Sequence, residues 1–179
     1  MSAKRTLIII LVTLAAGLAV KKYAYEPIYI ASESMSPTLY LGQRLLLDKT
    51  AFRFRGPERG EIIVFRSPVD NSHDSVKRVI ALPGDLVEIR NKEVSLNGEK
   101  LFEPYARHTR PGELLDGDNL GPVTVPPDAL FVLGDNRDNS GDSSTWRDPA
   151  TGRKIYFLPR AAVIGRIRGI YPDFSSSSR

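Results

Sequence analysis

The arrangement of short apolar runs between turn-forming residues is the feature that most constrains how this chain folds. The runs are rich in β-branched and aromatic residues, and Gly, Pro and Asn separate them, as at 83–85 and 97–98. Pro presets φ, and Gly or Asn accepts positive φ, so these separators form tight turns. The runs lie at 28–30, 45–47, 61–66, 76–82, 86–90, 94–96, 123–125, 129–133, 155–157 and 163–171. This pattern, with no long amphipathic helix between the runs, predicts a mainly β fold, an antiparallel β barrel or sandwich of short strands.

The N-terminal segment has a different pattern. Residues 6–20 carry no charge, and basic pairs flank them at 4–5 and 21–22. A helix of that length covers about 22 Å, less than the ~30 Å hydrocarbon core, but the stems of flanking Lys and Arg can extend to the headgroups. The segment predicts one N-terminal transmembrane helix, with residues 1–22 as a membrane anchor. A cleavable secretory signal peptide, ending at the small residues of 17–19, is the alternative.

Charge and cysteine content exclude several classes of function. The chain carries 25 basic and 21 acidic residues, and the four basic residues of 1–22 account for the whole excess. A nucleic-acid surface needs clustered basic groups on the folded body, so the neutral body predicts no nucleic-acid partner. The absence of cysteine excludes a disulfide framework, a thiolate nucleophile and a Cys-ligated zinc site.

One folded domain follows the predicted anchor. A length of 179 residues suits a single domain. The body is predicted at 23–173, and its polar, Gly- and Pro-rich stretch at 105–122 is predicted to be a long loop or a small extension. Residues 174–179 are predicted to be a disordered tail.

Residues that bind metals or activate serines are scarce. His73 and His108 are the only histidines and lack a metal-binding spacing, and no G-x-S-x-G or P-loop motif occurs. The segment 135–142 is acidic like a calcium loop. However, Arg137 and Ser140 occupy its third and sixth positions, where an oxygen ligand and Gly are needed. We therefore expect neither a metal nor a cofactor.

A serine activated by an amine is the remaining form of nucleophilic catalysis. Two serines, Ser32 and Ser34, alternate just before Pro37, and alternate residues of an extended chain point to the same side. They are therefore candidates for a shared site. An ordinary Ser-rich turn is the alternative.

Lys77 is the candidate amine. On a strand it shares a face with Val79 and Ala81, and burial among apolar neighbours disfavours the charged ammonium and lowers the lysine pKa. A general base near neutral pH needs such a lowered pKa. The alternative is an edge-strand lysine that blocks aggregation.

Four separated segments, in order, resemble the conserved boxes of the type I signal peptidases. They are S-M-x-P-T at 34–38, R-G-E-I-I-V-F at 59–65, K-R-V-I-A-L-P-G-D at 77–85 and G-D-N-R-D-N-S-x-D-S at 134–143. The resemblance extends from the apolar N-terminal segment through residue 143 and, more weakly, to about residue 171. It implies a signal-peptidase-like β fold behind one N-terminal transmembrane helix.

The resemblance also implies roles for individual residues. Ser34 matches the family nucleophile, and Lys77 matches the general base. Ser32 matches the hydroxyl that joins the nucleophile's backbone N–H in the oxyanion hole. Ser140 matches the residue that orients the lysine, and Asp142 matches a supporting acid.

The family cuts after a small-x-small motif, and four apolar positions match the walls of its substrate pocket. They are Ile28, Ile30, Leu39 and Val76. The sequence departs from the family pattern at Ala31, often Pro, and at Ser144, often Arg. The second departure puts in doubt a salt bridge made there by Asp142.

The predicted function is a membrane-bound endopeptidase that removes signal peptides from exported preproteins. Its partners are signal peptides and the lipid bilayer, with residues 1–5 cytoplasmic and the catalytic body on the outer side. Two alternatives from other classes are a self-cleaving repressor-type Ser-Lys protein and a non-catalytic membrane-tethered β module. The first needs a DNA-binding helical region before the serine, which residues 1–27 do not supply.

Overall fold

The computed structural model describes residues 3–70 and 72–170, without the side chains at 16 and 18–22. The predicted tail at 174–179 lies outside these residues. One α-helix, α1, covers Ala3–Ala24, where the sequence predicts a helix. Its apolar side chains at 7–14 are 54–62% exposed. Among the described residues, no helix combines the length and the apolar character needed to cross a membrane.

Short strands follow the helix, and they confirm the prediction of a mainly β fold. The strands are β1 (Tyr25–Tyr29), β2 (Arg44–Asp48), β3 (Ile62–Arg66), β4 (Asp74–Ala81), β5 (Leu86–Arg90), β6 (Glu93–Leu96), β7 (Glu99–Lys100), β8 (Leu120–Thr124), β9 (Ala129–Leu133), β10 (Leu158–Pro159) and β11 (Val163–Ile170). Two short 3-10 helices cover Arg137–Asn139 and Arg160–Ala162.

The strands form two antiparallel sheets. The larger sheet has seven strands in the order β1-β2-β11-β3-β4-β9-β10, and the smaller has four in the order β7-β6-β5-β8. Strand β9 is buried along its whole length and separates two cores. Ala129, Phe131 and Leu133 pack with the smaller sheet, whereas Leu130 and Val132 pack on the opposite face beside Trp146.

The structure differs from the sequence predictions in one strand and one loop boundary. The run at 155–157 is not a strand, because Tyr156 and Phe157 instead pack as partly buried side chains against the core of the smaller sheet. The predicted loop at 105–122 ends earlier, since β8 begins at Leu120. Pro122 is tolerated there because β8 is an edge strand and its pairing with β5 is irregular at this point.

A third, smaller core positions the segment between β1 and β2 over the larger sheet. Ile30, Met35, Leu39 and Leu45 are buried in it. Val76 of β4 packs against the same cluster. Burial of these side chains therefore holds the segment that carries Ser32 and Ser34 against the strand that carries Lys77.

Candidate active site

The segment around Ser34 is a closed loop held by its own backbone. Ile30 donates to the carbonyl of Gln43 at 2.9 Å, and Gly42 donates back to the carbonyl of Ile30 at 2.9 Å. Within the loop, Ser36 N–H bonds the Glu33 carbonyl at 3.0 Å, and the Ser36–Pro37 peptide is cis. These bonds and the buried Met35 leave Ser34 only 7% exposed.

Lys77 meets Ser34 across 43 residues of sequence. The side-chain nitrogen of Lys77, Nζ, lies 2.8 Å from Ser34 Oγ and 3.0 Å from the carbonyl oxygen of Val76. The lysine is 5% exposed, and its cross-strand neighbour on β3, Ile63, is fully buried. Directly opposed residues of an antiparallel pair share a face, so the lysine stem lies beside an apolar side chain.

The electrostatic setting of Lys77 favours a neutral amine. Burial is the largest influence and lowers the pKa of Lys77, whereas the negative charges of Asp142 and Asp135 oppose this shift only in part. The two hydrogen-bond partners of Nζ among the described residues are uncharged oxygens. The net result is a lysine pKa below its ordinary value.

The apolar neighbours of Lys77 differ from those that strand alternation predicts. Val79 packs in the core beside Trp146, but Ala81 packs with Ile80 in the core of the smaller sheet. The cause is a shift in the pairing of β4 with β9 between Val79 and Ala81, which breaks the alternation. Ala81 therefore does not share the environment of Lys77 and Val79.

The two candidate oxyanion donors lie together. Ser32 Oγ is 3.2 Å from Ser34 Oγ. Within the part of the chain that the structure describes, the Ser34 N–H makes no hydrogen bond, so it is free to donate to a ligand. A hydroxyl and a backbone N–H close to one nucleophilic oxygen are the groups that can hold a developing negative charge.

The loop 134–142 packs directly on the Ser34 backbone. A Cβ added to Gly134 would lie 2.6 Å from the Ser34 carbonyl oxygen and closer still to Ser140 Oγ. Ser140 Oγ is buried and has no hydrogen-bond partner among the described residues. The structure thus places Ser140 beside the pair without a hydrogen bond to Lys77, and its orienting role stays a prediction.

Asp142 is held by neutral donors. Its Oδ2 accepts a 2.9 Å bond from Gly134 N–H, and its Oδ1 accepts bonds from the backbone and hydroxyl of Ser144, at 3.1 and 2.7 Å. No ion pair of Asp142 occurs within residues 3–70 and 72–170. Ser144, the departure from the family pattern, therefore satisfies the carboxylate without a positive charge.

A cavity of about 480 Å³ adjoins the Ser34–Lys77 pair. Of the four predicted pocket residues, Ile30 and Val76 line it, whereas Ile28 and Leu39 pack in the third core and do not. Sequence reasoning missed other lining residues, which are Tyr29, Met35, His73, Asp74, Ser75, Asn139 and Gly141. A larger cavity, about 980 Å³, lies where α1 meets the body and shares no residue with the pair.

Sequence reasoning also missed two residues that fasten the loop 134–142. Asp135, 1% exposed, binds Arg78 through two bonds of 2.9 and 2.6 Å, and the Arg78 guanidinium lies 4.0 Å over the Tyr105 ring. Asn136 donates from its backbone to the Ser34 carbonyl at 3.0 Å. The signal available in the sequence was the box G-D-N-R itself, which supplies both residues.

Comparison with known proteins shows which family this chain belongs to. The family model "Signal peptidase, peptidase S26" matches residues 3–172. A probable signal peptidase I-2 of Synechocystis is 41% identical over 156 residues, 84% of this chain and 64% of that protein. A signal peptidase I of Bacillus amyloliquefaciens is 40% identical over 160 residues, 84% of this chain and 85% of that protein.

A solved structure is similar as well. The crystal structure of a signal peptidase I from Enterococcus faecalis V583 is 31% identical, covers 66% of this chain and 98% of its own, and superposes with a TM-score of 0.45. The family model and the curated relatives confirm the resemblance inferred from the four sequence boxes. The chain belongs to the signal peptidase family, peptidase S26.

Proposed function

We propose that this chain is a membrane-associated endopeptidase that removes N-terminal signal peptides from exported preproteins, with Ser34 as nucleophile and Lys77 as general base. The observation that carries the proposal is the 2.8 Å contact between Lys77 Nζ and Ser34 Oγ. It occurs in a chain whose family match extends from residue 3 to residue 172. A buried lysine with a lowered pKa is suited to accept a proton from serine.

Acylation begins with the neutral amine. Lys77 accepts the hydroxyl proton of Ser34 while Oγ bonds to the carbonyl carbon of the scissile peptide. The C=O electron pair moves to the oxygen, and the Ser34 N–H and the Ser32 hydroxyl donate to it. Removing one donor of this kind costs about 10² to 10³ in kcat in other enzymes.

The second half returns the proton. The C–N bond breaks, the Lys77 ammonium protonates the departing amine, and the signal peptide remains as an ester on Ser34. The amine of Lys77 then takes a proton from water, whose oxygen attacks the ester carbonyl. The ester C–O bond then breaks, and return of that proton from Lys77 to Ser34 Oγ restores the pair. The signal peptide leaves as a carboxylic acid, which loses its remaining proton to solvent.

The strand order supports an extended substrate. Strand β4 pairs with β3 from Asp74 to Arg78, but among the residues that the structure describes its pairing with β9 starts only at Arg78. Residues 74–77 therefore present an open strand edge at the cavity, where an extended peptide can add its own hydrogen bonds. The apolar walls at Ile30 and Val76 suit small side chains, in agreement with cleavage after a small-x-small motif.

The N-terminal segment supports attachment to the bilayer. We place residues 1–22 at the membrane as an anchor and residues 23–173 on the outer side as the catalytic domain, with residues 1–5 cytoplasmic. The exposed apolar side chains at 7–14 support contact with lipid. Aromatic and basic residues near the end of α1 suit the headgroup layer, since Phe54 is 96% exposed and Arg53 adjoins it. Ser34 follows the last helical residue, Ala24, by ten positions and so stays close to the surface.

Cleavage of a preprotein by the purified full chain in lipid vesicles tests the proposal. We expect wild-type protein to release the signal peptide after a small-x-small motif, as N-terminal sequencing of the product would show. Ser34→Ala and Lys77→Ala should each abolish release. Ser95→Ala and Lys100→Ala, in the smaller sheet and its edge, are matched controls expected to cut normally. Normal cleavage by folded Ser34→Ala protein would overturn the proposal.

A further inference from the structure

We propose that Asn136 is a positioning residue that fixes the direction of the Ser34 N–H, the backbone donor of the oxyanion hole. The inference rests on the proposed function, because it assigns how one donor of that site is aimed. Asn136 is 4% exposed, and its two hydrogen bonds to the nucleophile segment connect residues about one hundred positions apart in sequence.

The contacts of Asn136 bracket the nucleophile. Its backbone N–H donates to the Ser34 carbonyl at 3.0 Å, and its side-chain Nδ2 donates to the Glu33 carbonyl at 3.3 Å. One residue thus holds two consecutive carbonyls, on either side of the Ser34 Cα. Both contacts lie on the main chain of the nucleophile and leave its hydroxyl free for Lys77.

Because the peptide unit is planar, the hydrogen bond to the Glu33 carbonyl also fixes the direction of the Ser34 N–H. The Glu33 carbonyl and the Ser34 N–H belong to the same peptide unit, and in a trans peptide they point in opposite directions within one plane. Whatever holds the carbonyl therefore aims the N–H. The local turn contributes one hold, through Ser36 N–H to Glu33 at 3.0 Å, and Asn136 adds the other from a distant loop.

The backbone around Asn136 is itself fastened. Arg107 N–H donates to the Asp135 carbonyl at 2.7 Å, and Arg137 N–H donates to the Arg107 carbonyl at 2.9 Å. The Asp135 side chain is bound by Arg78, the neighbour of Lys77 on β4. Asn136 therefore holds the Ser34 peptide in a fixed position relative to the surrounding hydrogen-bonded loops.

The chemistry of the side chain requires an amide. Asn136 Oδ1 is buried and has no hydrogen-bond partner among the described residues. The opposite amide orientation would place this oxygen against the Glu33 carbonyl, where two acceptors repel. Aspartate has the same shape but no donor, and it would place a negative charge beside the carbonyl.

Steady-state kinetics with a short signal-peptide substrate tests the assignment. We expect Asn136→Ala to lower kcat by about 10-fold or more and Asn136→Asp by more, because a misdirected N–H loses part of the 10² to 10³ that one oxyanion donor contributes. KM should stay within about twofold, and the pH dependence of kcat/KM should keep its position, since Lys77 is untouched. Asn119→Asp is the control, because the exposed Asn119 only accepts a bond from Asn91 N–H, which a carboxylate also accepts.

A second readout separates positioning from general damage. A peptide aldehyde adds the Ser34 hydroxyl across its C=O bond, nothing leaves, and the new oxygen occupies the oxyanion position. Its affinity should fall in both Asn136 variants by about the same factor as kcat/KM, while the affinity of an uncleavable substrate peptide stays unchanged. Backbone amide NMR should also show a shifted Ser34 resonance in folded variants.

The outcomes are distinct. If wild-type protein fails to cleave, the proposed function is wrong and the inference falls with it. If wild-type protein cleaves and both Asn136 variants keep kcat and aldehyde affinity within about twofold, the inference alone is wrong. Two further results would show a merely structural role and would also overturn the inference. One is a loss of affinity for the uncleavable substrate peptide as large as the loss in kcat. The other is a shift in the pH profile of kcat/KM.

Discussion

Two lysines in this molecule, the buried Lys77 and the half-buried Lys92, have opposite surroundings. Lys77 sits in the candidate site with only neutral oxygens in contact, and burial, partly opposed by Asp142 and Asp135, lowers its pKa. Lys92, whose side chain is 10% exposed, touches Asp118 at 3.0 Å and Asp138 at 2.7 Å. Burial again lowers the pKa, but the two carboxylates outweigh it and raise the pKa of Lys92. Burial therefore lowers the pKa of a lysine in this molecule only where no carboxylate contacts the amine.

The largest expected effect concerns the Ser34–Lys77 pair. We expect Ser34→Ala and Lys77→Ala to lower kcat/KM by more than about 10³-fold each, and the double variant to be hardly worse than either single one, because groups that act as a unit are strongly non-additive. Lys92→Ala, at the half-buried lysine used for comparison, should leave the kcat of folded protein within about tenfold. Additive losses in the double variant would contradict a shared role.

Replacing each of the two lysines by methionine should change the free energy of unfolding in opposite directions. Lys92→Met leaves two buried carboxylates without their cation and should lower the free energy of unfolding by about 3 kcal/mol at pH 7. Lys77→Met removes an amine that must be buried uncharged and should raise it. Since the pKa of Lys77 is lower in the folded than in the unfolded state, this gain should shrink as pH rises toward the ordinary lysine value. Chemical denaturation at several pH values measures both, and destabilisation by both variants would contradict the comparison.

The smallest expected effect concerns Asp142. Its negative charge raises the pKa of Lys77 against the lowering by burial, so Asp142→Asn should lower that pKa further. The rising limb of kcat/KM against pH should therefore move to lower pH. The lost hydrogen bond to Gly134 should also lower kcat several-fold. A limb that moves to higher pH would contradict the electrostatic role of Asp142.

Local sequence pattern predicted those elements whose boundaries are set by turn residues. Strands β5 and β9 match the predicted runs at 86–90 and 129–133, because Pro, Gly and Asn bound the runs nearby. The predicted strand at 155–157 is absent because the apolar residues there cover a core without pairing in a sheet. The prediction that Ala81 shares a face with Lys77 is wrong because an irregularity in strand pairing, which the sequence does not show, interrupts the alternation of side chains.

The candidate site was predictable only in part. The apolar neighbours of Lys77 in the sequence did not exclude an ordinary lysine on an edge strand. Its pairing with Ser34 was predicted only from the resemblance to the four ordered family boxes. The structure brings Ser32, Ser34 and Lys77 together. It leaves Ser140 without the expected bond, since Lys77 instead donates to the Val76 carbonyl. The bond from Asn136 to Glu33 depends on how two distant loops meet, which no local pattern encodes.

Titration of the lysine side chains by NMR tests the central claim most directly. In one sample of full-length protein, the 13Cε and 15Nζ resonances of Lys77 and Lys92, assigned with Lys77→Met and Lys92→Met, would be followed against pH. We expect Lys77 to lose its proton below the ordinary lysine value of about 10.4 and Lys92 to keep its proton above it. A Lys77 that titrates at or above that ordinary value would show a charged, solvated side chain and would contradict its role as general base.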